Sequence, residues 1–176
     1  MADRLDIFQY AYFVEDLDAA AAEWAELNGA GPFFVAPHHT ADRFTYRGTD
    51  VEADVSYAFG YSGDAQIQLI QQHDGLPSIY RDMYEPGRFG FHHVAKLVAD
   101  YEGERQRLLD AGCTLACELY ANDIVACYFD TRDRLGHFTE LHSRTDRIVS
   151  TFDRWRQAHA DWDGSGDTLR HHVSGT

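Results

Sequence analysis

The chain has 176 residues, of which 44% are hydrophobic and 25% are charged, as in a soluble globular protein with one well-packed domain or two very small ones. Its 29 acidic and 15 basic residues give a formal net charge of −14, which argues against nucleic acid as a partner because phosphates need a basic surface. No apolar run approaches the ~20 residues that cross a bilayer, and no signal-peptide pattern follows Met1. We therefore expect a cytoplasmic protein that has no membrane partner.

The first half of the chain predicts a β-α-β-β-β unit. An aromatic and β-branched run at 7–14 predicts a strand, and Asp16 is a suitable N-cap for a helix that ends at Asn28-Gly29. Short strand candidates follow at 32–36, 43–46 and 51–61 and, after a turn at 62–64, at 66–71, which are four segments for the three strands that follow the helix in this unit. Residues 5–72 are assigned to this first module. The Gly- and Pro-containing segment 73–90 is assigned to a linker with one helical turn.

The second half predicts the same order of elements in residues 91–143. A strand at 90–98 leads into a helix capped by Asp100 and stopped by Gly112, and strands follow at 114–120, 124–130 and 138–142. An amphipathic helix is predicted at 144–162, where it covers the domain or a dimer partner. The polar tail, 163–176, is predicted to be disordered.

An internal repeat relates the two halves. A shift of 84 positions places Gln9 on His93 and Asp16 on Asp100, and a shift of 72 positions places Gln68 on Glu140. These polar residues stand in otherwise apolar strands, the first and the last strand of each module. The fold class predicted is α+β, with two tandem βαβββ modules that form a cupped mixed sheet around a cleft, followed by a C-terminal helix.

Pseudo-twofold symmetry would bring four side chains of these strands together in the cleft. They offer one imidazole, one carboxylate and two amide oxygens, from His93, Glu140, Gln9 and Gln68. Such nitrogen and oxygen donors suit one divalent metal ion, Co, Ni, Mn, Zn or Mg, and leave octahedral positions for a bidentate substrate.

Residues 6–143 resemble the vicinal-oxygen-chelate, or glyoxalase-like, superfamily. The segments 8–20, 90–95, 66–71 and 138–141 resemble the opening and closing strands of its two modules, and spacing identifies His93, rather than His92, as the ligand. The set Gln68, His93 and Glu140 is most similar to methylmalonyl-CoA epimerases, whereas glyoxalases of the family use Gln at the position of Gln9. The epimerase's second catalytic carboxylate has no clean counterpart, and among residues 52–56 we favour Asp54.

The resemblance implies proton abstraction next to a metal-chelated carbonyl, catalysed by Glu140 with Asp54 as the second acid or base. Tyr46, Tyr57 and His142 are expected to contact the substrate. The chain is thus predicted to be a metal-dependent isomerase or lyase that acts on a small molecule, with an acyl-CoA among the candidates. A homodimer is expected because cupped sheets leave edges that tend to be paired or covered. Two alternatives are a non-catalytic binding protein of the bleomycin-resistance type and, less favoured because Gln9 replaces His, an extradiol dioxygenase.

Overall fold

The computed structural model describes residues 7–171, and the side chains of residues 7–170. The first half contains β1 (Ile7–Phe13), α1 (Leu17–Asn28), β2 (Phe33–Ala36), β3 (Arg43–Tyr46), β4 (Thr49–Asp50), β5 (Val55–Ser62) and β6 (Ala65–Gln72). The second half contains α2 (Ile79–Met83), β7 (Gly90–Val98), α3 (Tyr101–Asp110), β8 (Thr114–Ala121), β9 (Ile124–Asp130), α4 (Arg132–Leu135), β10 (Phe138–Ser143), α5 (Asp146–Ala160) and β11 (Leu169–His171). No helix in this part of the chain is both long and apolar enough to cross a membrane.

All eleven strands belong to one mixed sheet in the order β11-β2-β5-β6-β1-β7-β10-β9-β8-β3-β4. In each half the first strand runs parallel to the last, β1 beside β6 and β7 beside β10, and the antiparallel pair β1–β7 joins the halves edge to edge. The prediction of two βαβββ modules in a cupped sheet is confirmed.

The strand register repeats the pseudo-twofold relation of the sequence. Two alanines with no exposed surface, Ala11 on β1 and Ala95 on β7, lie at the centre of the sheet. Their strand neighbours are the four predicted ligands: His93 and Gln68 beside Ala11, and Gln9 and Glu140 beside Ala95. Methyl side chains at the centre leave room for the longer polar side chains around them.

Helices α1 and α3 follow the first strand of each module, as the Asp caps predict. Asp16 Oδ1 accepts a hydrogen bond from the Ala19 N–H at 2.7 Å, and Asp100 Oδ1 accepts one from the Gly103 N–H at 3.0 Å. Each cap satisfies an N–H that the first helical turn would otherwise leave unpaired. Gly29 ends α1 in the left-handed conformation, with φ +60°.

The hairpin β3–β4 does not join the sheet of its own module. Arg43 and Phe44 of β3 pair with Tyr120 and Leu119 of β8, at the far edge of the second module. The connection between β2 and β5 thus crosses from one module to the other. This pairing corrects the interpretation of 43–46 as a strand of the first module.

The interior of the cup is packed from both ends. At one end Ile79 and Tyr80 of α2 join a buried cluster with Phe13 and Phe138. At the other end α5 lays Ile148, Phe152 and Trp155 against β5 and its neighbours. The predicted C-terminal helix therefore covers the concave face of its own chain.

The tail differs from the prediction of disorder at 163–176. Leu169–His171 forms the strand β11, which runs parallel to β2 with Leu169 opposite Phe33. The Phe33 N–H donates to Thr168 O at 2.7 Å, and Leu169 packs on the apolar cluster beneath α1. Partial burial of Leu169 and pairing of an otherwise open sheet edge stabilise this short segment. The rest of that prediction, at 172–176, lies outside the described residues.

Candidate metal centre

The structure brings four predicted residues together as a buried polar cluster on the concave face, between the apolar packing of α2 and that of α5. Their exposed fractions are 2%, 4%, 0% and 4% for Gln9, Gln68, His93 and Glu140. Polar groups buried to this degree need partners, because an unpaired one costs about 1–3 kcal/mol.

His93 and Glu140 face each other without a hydrogen bond. His93 Nε2 and Glu140 Oε2 lie 3.0 Å apart, yet neither atom has a hydrogen-bond partner of acceptable geometry among the described residues. Two ligands at right angles around a metal ion, each at about 2.1 Å from it, are themselves about 3.0 Å apart. The pair is therefore spaced as two adjacent metal ligands are.

The protonation of His93 follows from its hydrogen-bond network. His92 Nε2 lies 3.1 Å from Ile79 O, which can only accept, so the proton of His92 is on Nε2. Burial, with a further contribution from His93, holds the pKa of His92 well below its usual value, so His92 stays neutral. Its bare Nδ1 accepts from His93 Nδ1, 2.9 Å away. A neutral His93 therefore presents an unprotonated Nε2 towards Glu140, as a metal ligand must, whereas a protonated His93 would form an ion pair with this carboxylate.

Glu140 is a carboxylate that has little compensating charge beside it when His93 is neutral. Burial raises its pKa, but the neighbouring His93 lowers it, with smaller contributions from His142 and Tyr128, and the carboxyl pKa is held below its usual value. Arg147 is the arginine that lines the adjoining cavity, and it is ion-paired with Asp123. A buried anion that lacks a counter-charge is unfavourable, so a cation beside Glu140 would stabilise the site.

The two glutamines complete the cluster. Gln9 Nε2 donates to Gln68 Oε1 at 2.6 Å. The orientation of each amide group is assigned from its hydrogen bonds. Either group can turn to present its oxygen to the cluster. The same pair can thus supply two neutral oxygen donors.

An inner cavity of about 230 Å³ opens onto this cluster. Gln9, Gln68 and Glu140 line it, as do two of the predicted substrate contacts, Tyr57 and His142. The rest of its wall is mostly apolar and includes Phe59 of β5 and, from α5, Ile148, Phe152 and Trp155.

Two predicted site residues lie elsewhere. The side chain of Asp54, just before β5, is 42% exposed and hydrogen-bonds to His38 Nδ1 at 2.8 Å, outside the inner cavity. Tyr46 donates its hydroxyl to Asp82 on α2 at 2.6 Å and also lies outside that cavity. Tyr46 lies on β3, which pairs with β8 at the far edge of the second module, and Asp54 precedes the part of β5 that lines the cavity.

Some cavity residues were missed by the sequence reasoning. Tyr128 of β9 stands opposite Glu140 in the register, and burial raises its pKa well above the usual value. The alternation along β9 places Tyr128 on the same face as Ala126, and this pattern could have identified Tyr128 from the sequence. The α5 stripe was visible, but its place over the cavity was not.

A second, larger depression of about 720 Å³ adjoins the inner cavity, and we call it the vestibule. It lies between the β2–β3 loop, β4 and the start of β5. His39, Tyr57 and Leu119 line both spaces, so the vestibule leads towards the buried polar cluster.

Comparison with solved structures agrees with this architecture. Methylmalonyl-CoA epimerase from Mycobacterium tuberculosis superposes with a TM-score of 0.61 at 19% identity, over 85% of this chain and 96% of that chain. A hypothetical protein from Bacillus halodurans C-125 gives 0.60 at 14% identity, over 80% and 95% of the two chains. A Streptomyces coelicolor methylmalonyl-CoA epimerase variant in complex with 2-nitronate-propionyl-CoA gives 0.51 at 18% identity, over 81% and 99%. At these identities the likeness shows the fold alone.

No curated protein sequence gives a significant match. The family model described as Glyoxalase/Bleomycin resistance protein/Dioxygenase superfamily matches residues 8–128, well over half of the chain. The two modules are the architecture that the resemblance in the sequence implied. The chain therefore belongs to the glyoxalase/bleomycin resistance protein/dioxygenase superfamily.

Proposed function

We propose that the chain is a metal-dependent isomerase or lyase that removes a proton next to the carbonyl of a small chelating substrate. Gln9, Gln68, His93 and Glu140 would hold one divalent ion, Co, Ni, Mn, Zn or Mg. The observation that carries the proposal is the pair of buried lone-pair atoms, His93 Nε2 and Glu140 Oε2, 3.0 Å apart and without hydrogen-bond partners among the described residues.

The bound ion would act as a Lewis acid that stabilises negative charge developing on the substrate oxygens. Glu140 would accept the proton, since its lowered pKa keeps it ionised at neutral pH and its second oxygen remains for proton transfer. Tyr57 and Tyr128 stay neutral because burial raises the pKa of both phenols. A neutral phenol beside the cavity can return a proton, which makes these tyrosines better candidates for the second acid than the exposed Asp54.

The epimerase neighbours support a substrate with two oxygens that can chelate, because one of them is described in complex with methylmalonyl-CoA and another with 2-nitronate-propionyl-CoA. The small inner cavity accommodates the reacting end of such a compound. A longer substrate would extend into the vestibule.

The first test is the metal content of untagged protein after gel filtration. We expect about one tightly held divalent ion per chain, lost in His93→Ala and in Glu140→Ala. His142→Ala is the matched control, because His142 lines the same cavity without belonging to the cluster. Wild-type protein that stays metal-free after reconstitution with each of the five ions would overturn the proposal.

The second test is deuterium exchange, which detects proton abstraction whatever product is formed. Candidate 2-hydroxy ketones, 2-keto acids and acyl thioesters are incubated with metal-loaded protein in heavy water. We expect deuterium at the carbon next to the carbonyl for the true substrate class, and none with Glu140→Gln. Metal binding without exchange in any compound would leave the site intact but contradict the catalytic role.

A non-catalytic binding protein of the same fold is the second candidate. It is favoured by the aromatic wall of the inner cavity, where Trp155 stacks on Phe34 and Phe59 with ring centroids 5.6 and 5.2 Å apart. Such a protein would be stabilised against heat by apolar aromatic ligands even in the presence of a chelator. The dioxygenase alternative is weaker, since the cluster contains one histidine and a glutamine pair.

A further inference from the structure

A second group of potential metal ligands lies at the rim of the vestibule. It consists of His38, Asp54 and His73, and one ligand atom from each lies within 4.8 Å of the other two. It is separate from the buried polar cluster, because none of its members lines the inner cavity.

The sheet itself brings these three residues together. His38 follows β2, Asp54 precedes β5 and His73 follows β6, which are adjacent strands. The His73 N–H donates to Asp54 O at 2.8 Å, continuing the β5–β6 ladder to the point where the side chains meet. The ligands thus project from the ends of three paired strands rather than from independent loops.

Local hydrogen bonds hold the side chains in this arrangement. Ser56 Oγ accepts a hydrogen bond from the backbone N–H of His38 at 2.9 Å and lies 2.7 Å from His73 Nε2. One hydroxyl thus connects both histidines. Asp54 contacts His38 Nδ1 at 2.8 and 3.0 Å through its two oxygens. The rings of His38 and His73 lie with centroids 4.6 Å apart. Two imidazoles at this distance would repel each other if both were protonated. If both are neutral, they can bind one shared cation.

We propose that His38, Asp54 and His73 form a second, weaker and solvent-exposed site for a divalent transition metal. Two imidazoles and a carboxylate suit Zn²⁺, Ni²⁺, Cu²⁺ or Co²⁺ and disfavour Mg²⁺ and Ca²⁺, which prefer oxygen ligands alone. The side chains of His38 and Asp54 are 66% and 42% exposed, which leaves coordination positions open to solvent or to an anionic group of a ligand in the vestibule. This site is independent of the buried cluster and of the function proposed for it.

The test is a calorimetric titration of untagged, chelator-treated protein with Ni²⁺ and with Zn²⁺. We expect a binding step that is weakened at least about tenfold in His73→Ala and in His38→Asn, since each removes a ligand. Asparagine is used at position 38 because the backbone there has φ +44°, which Asn tolerates better than Ala. Asp50→Asn, a vestibule carboxylate outside the group, should leave the step unchanged.

The same titration in the His93→Ala background separates the two sites. We expect the rim step to persist there whether or not the buried cluster binds metal. Electron paramagnetic resonance of one equivalent of Cu²⁺ in that background should show coupling to two imidazole nitrogens, reduced to one in His73→Ala. The proposal is wrong if no step remains in the His93→Ala background, or if that step survives both rim substitutions unchanged.

Discussion

His92 determines which nitrogen of His93 faces Glu140, although the repeat assigns the ligand role to His93. With its proton directed at Ile79 O, His92 can only accept from His93, and this leaves Nε2 bare in a neutral His93. The adjacent histidine is therefore the partner that orients the proposed ligand, a role often filled by a carboxylate or a backbone carbonyl.

Replacing His92 with phenylalanine should weaken metal binding without removing a ligand. The ring would still stack on Phe138, whose centroid is 4.9 Å from that of His92, but His93 Nδ1 would lose its acceptor. We expect affinity to fall about 10- to 100-fold, as for other partners of metal ligands. The measurement is competition with a coloured chelator, and His137→Phe, outside the cluster, is the control. Unchanged affinity in His92→Phe would show that His93 does not depend on His92.

Asp130 illustrates how charge is used away from the cavity. It accepts hydrogen bonds from Arg132 at 2.7 and 2.8 Å and from Arg47 at 2.6 Å, and Arg47 also binds Asp82. The hydrogen bonds from Arg132, opposed by burial and assisted by Arg47, hold the pKa of Asp130 far below its usual value. This network ties the β3–β4 turn to β9 and α2.

Asp130→Asn should destabilise the fold by about 1–3 kcal/mol at pH 7, as expected for hydrogen bonds to a charged group. The folded-state pKa lies below the unfolded value of about 3.9, so this stabilisation is complete above that pH and is lost as pH falls further. Urea unfolding at pH 7 and at pH 3 should therefore show the two proteins converging in acid. Asp123→Asn, at an exposed ion pair with Arg147, should change the stability much less. A difference between wild type and Asp130→Asn that is constant with pH would contradict this account.

Helix α5 has two roles, in stability and in shaping the inner cavity. Its apolar stripe closes one end of the cup, and Trp155, 8% exposed, stacks between aromatic side chains of β2 and β5. Trp155→Ala should cost about 3–5 kcal/mol in unfolding free energy, the usual range for a buried aromatic. Arg156→Ala on the same helix, about half exposed, should cost little. If the Trp155 variant still unfolds near the wild-type denaturant midpoint, α5 does not pack as the structure shows.

The sequence predicted those elements whose partners are fixed by local pattern. Alternation along β1 and β6, the Asp caps and the two offsets were sufficient to predict the modules and to bring Gln9, Gln68, His93 and Glu140 together. The pattern of 43–46 identified a strand but not its partner, since either edge of the sheet accepts a short strand. Tyr46, on this strand, was expected to contact the substrate, and Asp54 was favoured because the resemblance implies a second catalytic carboxylate near residues 52–56. The order of the tail at Leu169 depends on contact with Phe33, which lies far away in sequence.

At the scale of the whole molecule, the duplicated module and the acidic charge together determine which ligands can reach the buried polar cluster. The repeat places one polar cluster at the join of two modules, while the inserted β3–β4 hairpin and α5 reduce the access to it. Of the charged residues that line the vestibule, only Arg43 is basic among those described, and it pairs with Asp50 at 2.9 Å; the carboxylates are Asp42, Asp50, Glu52 and Asp54. The vestibule that leads to the cluster is therefore negatively charged, like the chain as a whole with its net charge of −14.

This charge predicts how tightly the chain should bind a CoA thioester, the type of ligand described for one of its epimerase neighbours. The phosphates of CoA would meet an acidic vestibule, so a propionyl thioester of pantetheine, which lacks the charged nucleotide, should bind at least as tightly as propionyl-CoA. Because salt screens such repulsion over about 10 Å at 0.1 M, raising the salt concentration should strengthen binding of the CoA ester and leave the pantetheine ester almost unaffected. Calorimetry of both esters at low and at high sodium chloride concentration makes the comparison. Tighter binding of the CoA ester at low salt would mean that its phosphates approach basic residues outside the vestibule. The acidic residues of the vestibule would then lie off the substrate's path, and the substrate would enter the cup from another side.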